Sequence, residues 1–148
     1  MKKVFHFDSQ TEKYRAEACV VSCFDARFEL ATRKFLKKRG ILVADPLKIA
    51  GGAKIFASPA EESARSFALG QVQTSMQLHG TDRVVLMVHS DCGAYGGLQA
   101  FGSNKEREAV NHESELLNAA KFLKSNVSSI EVECYYLRFD GVWAVEAA

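Results

Sequence analysis

Short apolar runs alternate with amphipathic stretches along most of this chain, and that alternation limits the folds open to it more than any other feature. Residues 17–23 (EACVVSC), 83–88 (RVVLMV) and 130–139 (IEVECYYLRF) each have the length and content of a buried strand. Between the first two, residues 26–38 set Phe28, Ala31, Phe35 and Leu36 at helical spacing. Basic residues crowd that last turn, and Gly40 follows as a stop. Residues 41–49 are apolar but broken by Asp45-Pro46, which places a further strand in their second half, ending at Gly51-Gly52. A second helix is expected to start at Ser58 as N-cap, with Pro59 in the first position and Glu61 completing a capping box. Its apolar face would run through Ala64, Phe67, Ala68, Val72, Ser75 and Met76, and His79-Gly80 would end it. Residues 105–124 read as a third helix facing inward through Ala109, Leu116, Leu117, Ala120 and Leu123. The last run, a tight turn at Asp140-Gly141 and VWAVE then form a hairpin.

Strands alternating with helices predict an α/β fold: a three-layer sandwich with a mainly parallel central sheet, an antiparallel edge strand and helices on both faces. In such a sheet ligands sit beyond the carboxyl ends of the strands, at the switch point in strand order.

Composition narrows the class further. A length of 148 residues suits one domain, 1–148, around a single core. With 47% hydrophobic and 25% charged residues the chain has the balance of a globular protein. A net charge of +1 argues against nucleic-acid binding by bulk electrostatics. No apolar run reaches bilayer length, so no membrane association is expected. The start, MKKVFHFDSQTEK, lacks the apolar stretch of a secretory signal, which makes the cytoplasm the expected compartment. Four cysteines in that compartment are then buried, metal-bound or reactive rather than paired.

Two motifs fall at strand ends. Cys23-Phe24-Asp25-Ala26-Arg27 follows the first run, and His89-Ser90-Asp91-Cys92-Gly93 follows RVVLMV. If those strands are neighbours, Cys23, His89 and Cys92 converge. Two thiolates and an imidazole suit zinc, and three protein ligands leave a fourth position open. Asp25 and Arg27 lie on one side of an extended segment, where the guanidinium keeps the carboxylate ionised and oriented. Asp25 could accept a hydrogen bond beside the metal or become its fourth ligand. The glycines after Cys92 let backbone approach the ion closely.

Together these motifs resemble the β-class carbonic anhydrases. That family carries Cys-x-Asp-x-Arg and, tens of residues later, His-x-x-Cys. CFDAR and HSDCG are close to its forms, and Lys48-Ile49-Ala50-Gly51-Gly52 resembles the segment between them, usually begun by Arg-Asn-Ala-Gly. The resemblance covers residues 17–138. It implies zinc on Cys23, His89 and Cys92, an Asp25–Arg27 dyad, and a substrate pocket lined by Gly51, Gly52 and Gly93. It implies reversible hydration of carbon dioxide to bicarbonate by hydroxide on zinc, with activity rising toward alkaline pH because two thiolates load the metal with negative charge. It also implies a homodimer or higher homo-oligomer.

Other uses of the same residues stay open: hydrolysis of carbonyl sulfide or carbon disulfide, a non-catalytic zinc protein closed by Asp25, or two core cysteines with a capping histidine. A thiol redox role for Cys23 and Cys92 has no C-x-x-C motif behind it. Asp91 is expected to cap the Gly-rich segment. Cys19 and Cys134 are expected to be core, His79 a helix C-terminal residue and His112 a solvated one. Tyr135, Tyr136, Phe139 and Trp143 are expected in core or subunit interface.

Overall fold

The computed structural model describes residues 1–146, so the last two positions of the expected 1–148 unit lie outside it. Five strands form one sheet: β1 (Ala18–Ser22), β2 (Ala44–Lys48), β3 (Arg83–His89), β4 (Glu131–Arg138) and β5 (Gly141–Val145). Their spatial order is β2-β1-β3-β4-β5. The first four pair in parallel and β5 runs antiparallel to β4. Four helices join them: α1 (Glu29–Lys38), α2 (Lys54–Ala57), α3 (Glu62–His79) and α4 (Lys105–Asn126).

The period-two alternation of the strands divides the core into two layers. Cys19, Val21, Val84, Leu86, Val88, Cys134 and Tyr136 pack on one face against Phe56, Ala68, Val72, Leu116 and Leu123 from α2, α3 and α4. Ala18, Val20, Val85, Met87, Tyr135 and Leu137 pack on the other with Phe28, Phe35, Leu36 and Ile41, on or beside α1. The expected α/β sandwich with an antiparallel edge is therefore the fold. Helix placement follows from chirality. The β1–β2 connection steps one way along the sheet, and the next two step the other way. A common hand of crossover then sends α1 to one face and α3 and α4 to the other. Among the described residues no helix is long and apolar enough to cross a membrane.

Some expectations require correction. Ser58 does not begin a helix. It closes the short α2, its N–H bonded to the Lys54 carbonyl at 2.8 Å, and its hydroxyl is bonded to the Glu115 carboxylate. Pro59 holds the preceding residue out of the helical region, so α3 starts only at Glu62 and Glu61 makes no side-chain cap. Phe67 is exposed rather than on the inner face of α3, and Ala31 is exposed on α1, where Thr32 is buried instead. His112 is fully buried, not solvated. Of the four aromatics expected in core or subunit interface, Tyr135 and Tyr136 are core, while Phe139 is exposed and Trp143 partly so, which leaves the interface alternative for those two. Pro46 sits within β2, where the edge position makes its missing N–H harmless to the ladder.

Two local devices hold the sheet's borders. Asp45 on β2 accepts hydrogen bonds from Tyr14 Oη (2.8 Å), Ser75 Oγ (2.6 Å) and His79 Nδ1 (2.7 Å), tying the N-terminal segment and α3 to the edge strand. Burial works against ionisation of this carboxyl, but the Ser75, His79 and Tyr14 hydrogen bonds outweigh it and hold its pKa below the ordinary value. Gly52 has φ +56° and its Cα faces the Met87 carbonyl and the Cys23 amide, where a Cβ would lie 3.0 Å from Cys23 N. Gly52→Ala is therefore expected to destabilise the protein by ~2 kcal/mol or more, measured by urea denaturation. Asp45→Asn should cost about 1–3 kcal/mol at pH 7. Because the folded-state pKa is the lower one, that cost should shrink as pH falls through the acid range, which denaturation at pH 7 and pH 3 would measure.

Candidate metal centre

β1 and β3 are direct neighbours, paired through Cys19–Val84, Val20–Val85 and Val21–Leu86, although β2 comes between them in sequence. Their carboxyl ends consequently lie side by side. Cys23 is the first residue beyond β1, and His89 is the last of β3. A tight turn then returns Cys92 to the same point. One ligand atom from each of Cys23, His89 and Cys92 falls within 4.8 Å of the others. His89 and Cys92 are buried and Cys23 is half-buried.

Histidine chemistry shows that the cluster is built to receive something. His89 Nδ1 lies 2.8 Å from the Ser90 carbonyl oxygen. A carbonyl only accepts, so Nδ1 carries the proton and Nε2 presents a lone pair. That Nε2 is buried without a hydrogen-bond partner. An unsatisfied buried acceptor facing two thiols fits a soft or borderline cation. Burial lowers the His89 pKa, which keeps the imidazole neutral and ready to coordinate. Burial, with the Cys23 thiol beside it, pushes the Cys92 thiol up to about 11, and a cation at this point would reverse that penalty.

Asp25 and Arg27 stand at the open side. Arg27 Nε donates to Asp25 Oδ1 (3.0 Å) and Oδ2 (3.1 Å), and Nη2 donates to Oδ2 (2.7 Å). The Arg27 amide adds a bond to Oδ1 at 3.0 Å. Chiefly through the guanidinium, the Asp25 carboxyl is brought down to about 2. Its Oδ2 lies 3.8 Å from His89 Nε2. Phe28 stacks beside His89 with ring centroids 4.5 Å apart, and the Arg27 guanidinium lies 5.4 Å from the Phe139 ring. Asp91 does cap the Gly-rich segment, its Oδ1 accepting from the Leu98 amide at 2.9 Å. It also holds Arg27, through Oδ2 and its own carbonyl, both at 3.0 Å.

The glycines divide. Gly93 is exposed beside Cys92 with open space where a side chain would be. Gly51 is buried against Lys54 and Ala94, and Gly52 against backbone.

Comparison with known proteins now decides the family. The family model described as "Putative carbonic anhydrase" matches residues 13–148. The chain belongs to that family. A relative named "Uncharacterized protein" from Rickettsia bellii is 25% identical over 130 residues, covering 86% of this chain and 79% of its own. The β-carbonic anhydrase isoform I of Trichomonas vaginalis superposes with a TM-score of 0.63 at 14% identity, over 95% of this chain and 87% of that one. A carbon disulfide hydrolase in its apo form superposes at 0.56 with 16% identity, over 92% and 81%. At these identities the solved structures establish the fold of this family member and nothing finer.

Four residues beside the site escaped the sequence: Ser90, Glu108, His112 and Tyr136 make up a buried polar layer beneath the His89–Cys92 turn. A usable signal existed on α4. Glu108 and His112 precede Leu116 by eight and four positions and so share its inward face.

The thiols offer a direct check. Cys19 and Cys134 are buried, with burial raising each to about 11. Maleimide labelling of metal-free protein at neutral pH, read by mass spectrometry, should modify Cys23 first and spare Cys19 and Cys134 until unfolding. Added zinc should protect Cys23.

Proposed function

We propose that this protein is a zinc-dependent enzyme that reversibly hydrates carbon dioxide to bicarbonate, with Cys23, His89 and Cys92 as the metal ligands. The observation that carries this reading is the unpartnered Nε2 of His89, buried between two thiols at the switch point of the sheet. Zinc, when bound, would supply Lewis acidity and acidify water enough for nucleophilic chemistry near neutral pH.

The chain's own residues do the remainder. The Ser90 carbonyl fixes the His89 tautomer and ring plane. Arg27 keeps Asp25 ionised and aimed, leaving it free to accept a hydrogen bond and orient its donor. Arg27 can do this without losing its own proton, which a lysine could not guarantee. Gly51, Gly52 and Gly93 are assigned to the substrate pocket. Open space over Gly93 supports its part, while Gly51 and Gly52 would act by letting backbone close in beneath. The same proposal covers a single unit over 1–148, a cytoplasmic setting and a homodimer or higher homo-oligomer. The exposed Phe24 and Phe139 near the dyad support the last.

A second reading keeps the site and changes the substrate to carbonyl sulfide or carbon disulfide. The Phe28 and Phe139 rings around Arg27 form an aromatic flank on which a polarisable sulfur atom could pack, the one respect in which it supports this reading. A closed, non-catalytic site would arise if Asp25 moved onto the metal, a short step from its present position.

Metal analysis followed by stopped-flow hydration assays tests the set. Wild-type protein should retain zinc and hydrate carbon dioxide. Cys92→Ser should lose both. Asp25→Asn should keep zinc while turnover falls about 100-fold, in the range ordinary for a positioned acid–base group. Wild-type protein that holds zinc and hydrolyses carbon disulfide without hydrating carbon dioxide would establish the second reading.

A further inference from the structure

We propose that Glu108 is the positioning residue of this site: by locking Asp91 beneath Arg27, it holds Asp25 away from the fourth coordination position. This rests on the metal reading above. Glu108 lies in the first turn of α4 and is only 2% exposed, an unusual place for a carboxylate whose one basic neighbour, His112 at 3.8 Å, is kept neutral by its own burial. Its Oε1 accepts the Asp91 amide at 2.7 Å, and its Oε2 accepts the Tyr136 hydroxyl at 3.1 Å. Tyr136 spends its one proton on that carboxylate, so the Ser90 hydroxyl, 2.7 Å away, donates to Tyr136. One buried carboxylate thus holds Asp91 directly and Ser90 through Tyr136, the two residues that separate His89 from Cys92.

The grip has a conformational consequence. Asp91 adopts φ +55°, a left-handed backbone that L side chains enter reluctantly. In that conformation its carbonyl and its carboxylate both face Arg27. The guanidinium is then shared between two aspartates. Asp91 takes one edge and Asp25 the other, and Nη2 serves both. Without Asp91, the Arg27 guanidinium would be hydrogen-bonded to Asp25 alone and could travel with it across the Phe139 ring. Asp25 Oδ2 is already 3.8 Å from the lone pair of His89. The chain of restraint therefore runs Glu108, Asp91, Arg27, Asp25. Glutamine cannot replace the first member, because it offers one carbonyl acceptor to two donors and sets an NH2 against the other.

Cobalt-substituted protein titrated with thiocyanate, read in the visible spectrum, tests this. Thiocyanate reports whether the fourth position is free. Glu108→Gln should still bind cobalt, but its thiocyanate affinity should fall about tenfold or more. Adding Asp25→Asn to that variant should restore the affinity of the Asp25→Asn single variant, because the competing carboxylate is gone. A merely structural role would lower the melting temperature and give no such rescue. Tyr136→Phe, which frees one oxygen of Glu108 and removes no charge, should lose affinity in the same direction and carries the test if Glu108→Gln does not fold. Unchanged thiocyanate affinity in the variants, or a loss that Asp25→Asn fails to relieve, would overturn the proposal. Failure of wild-type protein to take up cobalt would instead overturn the metal reading beneath it.

Discussion

The pairing of β1 with β3 is the constraint on which the rest depends. The two strands are separated in sequence by α1, β2, α2 and α3, yet they lie hydrogen-bonded at the centre of the sheet. Reversal of direction at β1 opens a crevice at their carboxyl ends, because connections leave toward opposite faces there. Each of the three candidate metal ligands is delivered to that crevice by backbone alone. Cys23 arrives by ending β1, His89 by ending β3, and Cys92 by one turn of loop. Side-chain packing has only to keep the two strands in register, which the alternating valines and leucines on both faces accomplish.

The ligand motifs were readable because they coincide with the limits of apolar runs. Buried parallel strands are apolar throughout, so the first polar or metal-binding residue after such a run marks its end. Helical spacing located the α4 stretch, expected over 105–124 and observed over Lys105–Asn126, and the Asp140-Gly141 turn located the terminal hairpin. It failed at Ser58, where a serine, a proline and a glutamate matched a helix start. The hydroxyl was already committed to Glu115, some 57 positions away, and such a commitment leaves no local trace. It failed again at His112 and Glu108, whose polarity argued for solvent while their spacing argued for the core. Spacing won: both Glu108 oxygens find donors, in the Asp91 amide and the Tyr136 hydroxyl, and the His112 ring packs among Tyr95, Phe101 and Tyr136.

That polar layer also separates two kinds of work. The apolar core beneath α3 and α4 resists unfolding. The carboxylate of Glu108, the hydroxyls of Ser90 and Tyr136 and the amide of Asp91 resist something smaller, the relaxation of one left-handed residue. Hydrogen bonds suit that task better than packing, since they are directional and fail sharply when a partner is displaced.

The contact of Gly52 with the Met87 carbonyl and the Cys23 amide reaches beyond stability. It joins the β2–α2 corner to both ligand-bearing strands through main chain, with no side chain intervening. The spacing of the metal-binding atoms is thereby insulated from drift in the core. Substitutions that enlarge or shrink the packed layers can accumulate over evolutionary time and alter how tightly the protein folds, while the crevice keeps its dimensions. A family built this way can diverge in most of its sequence and still present the same three donors at the same point.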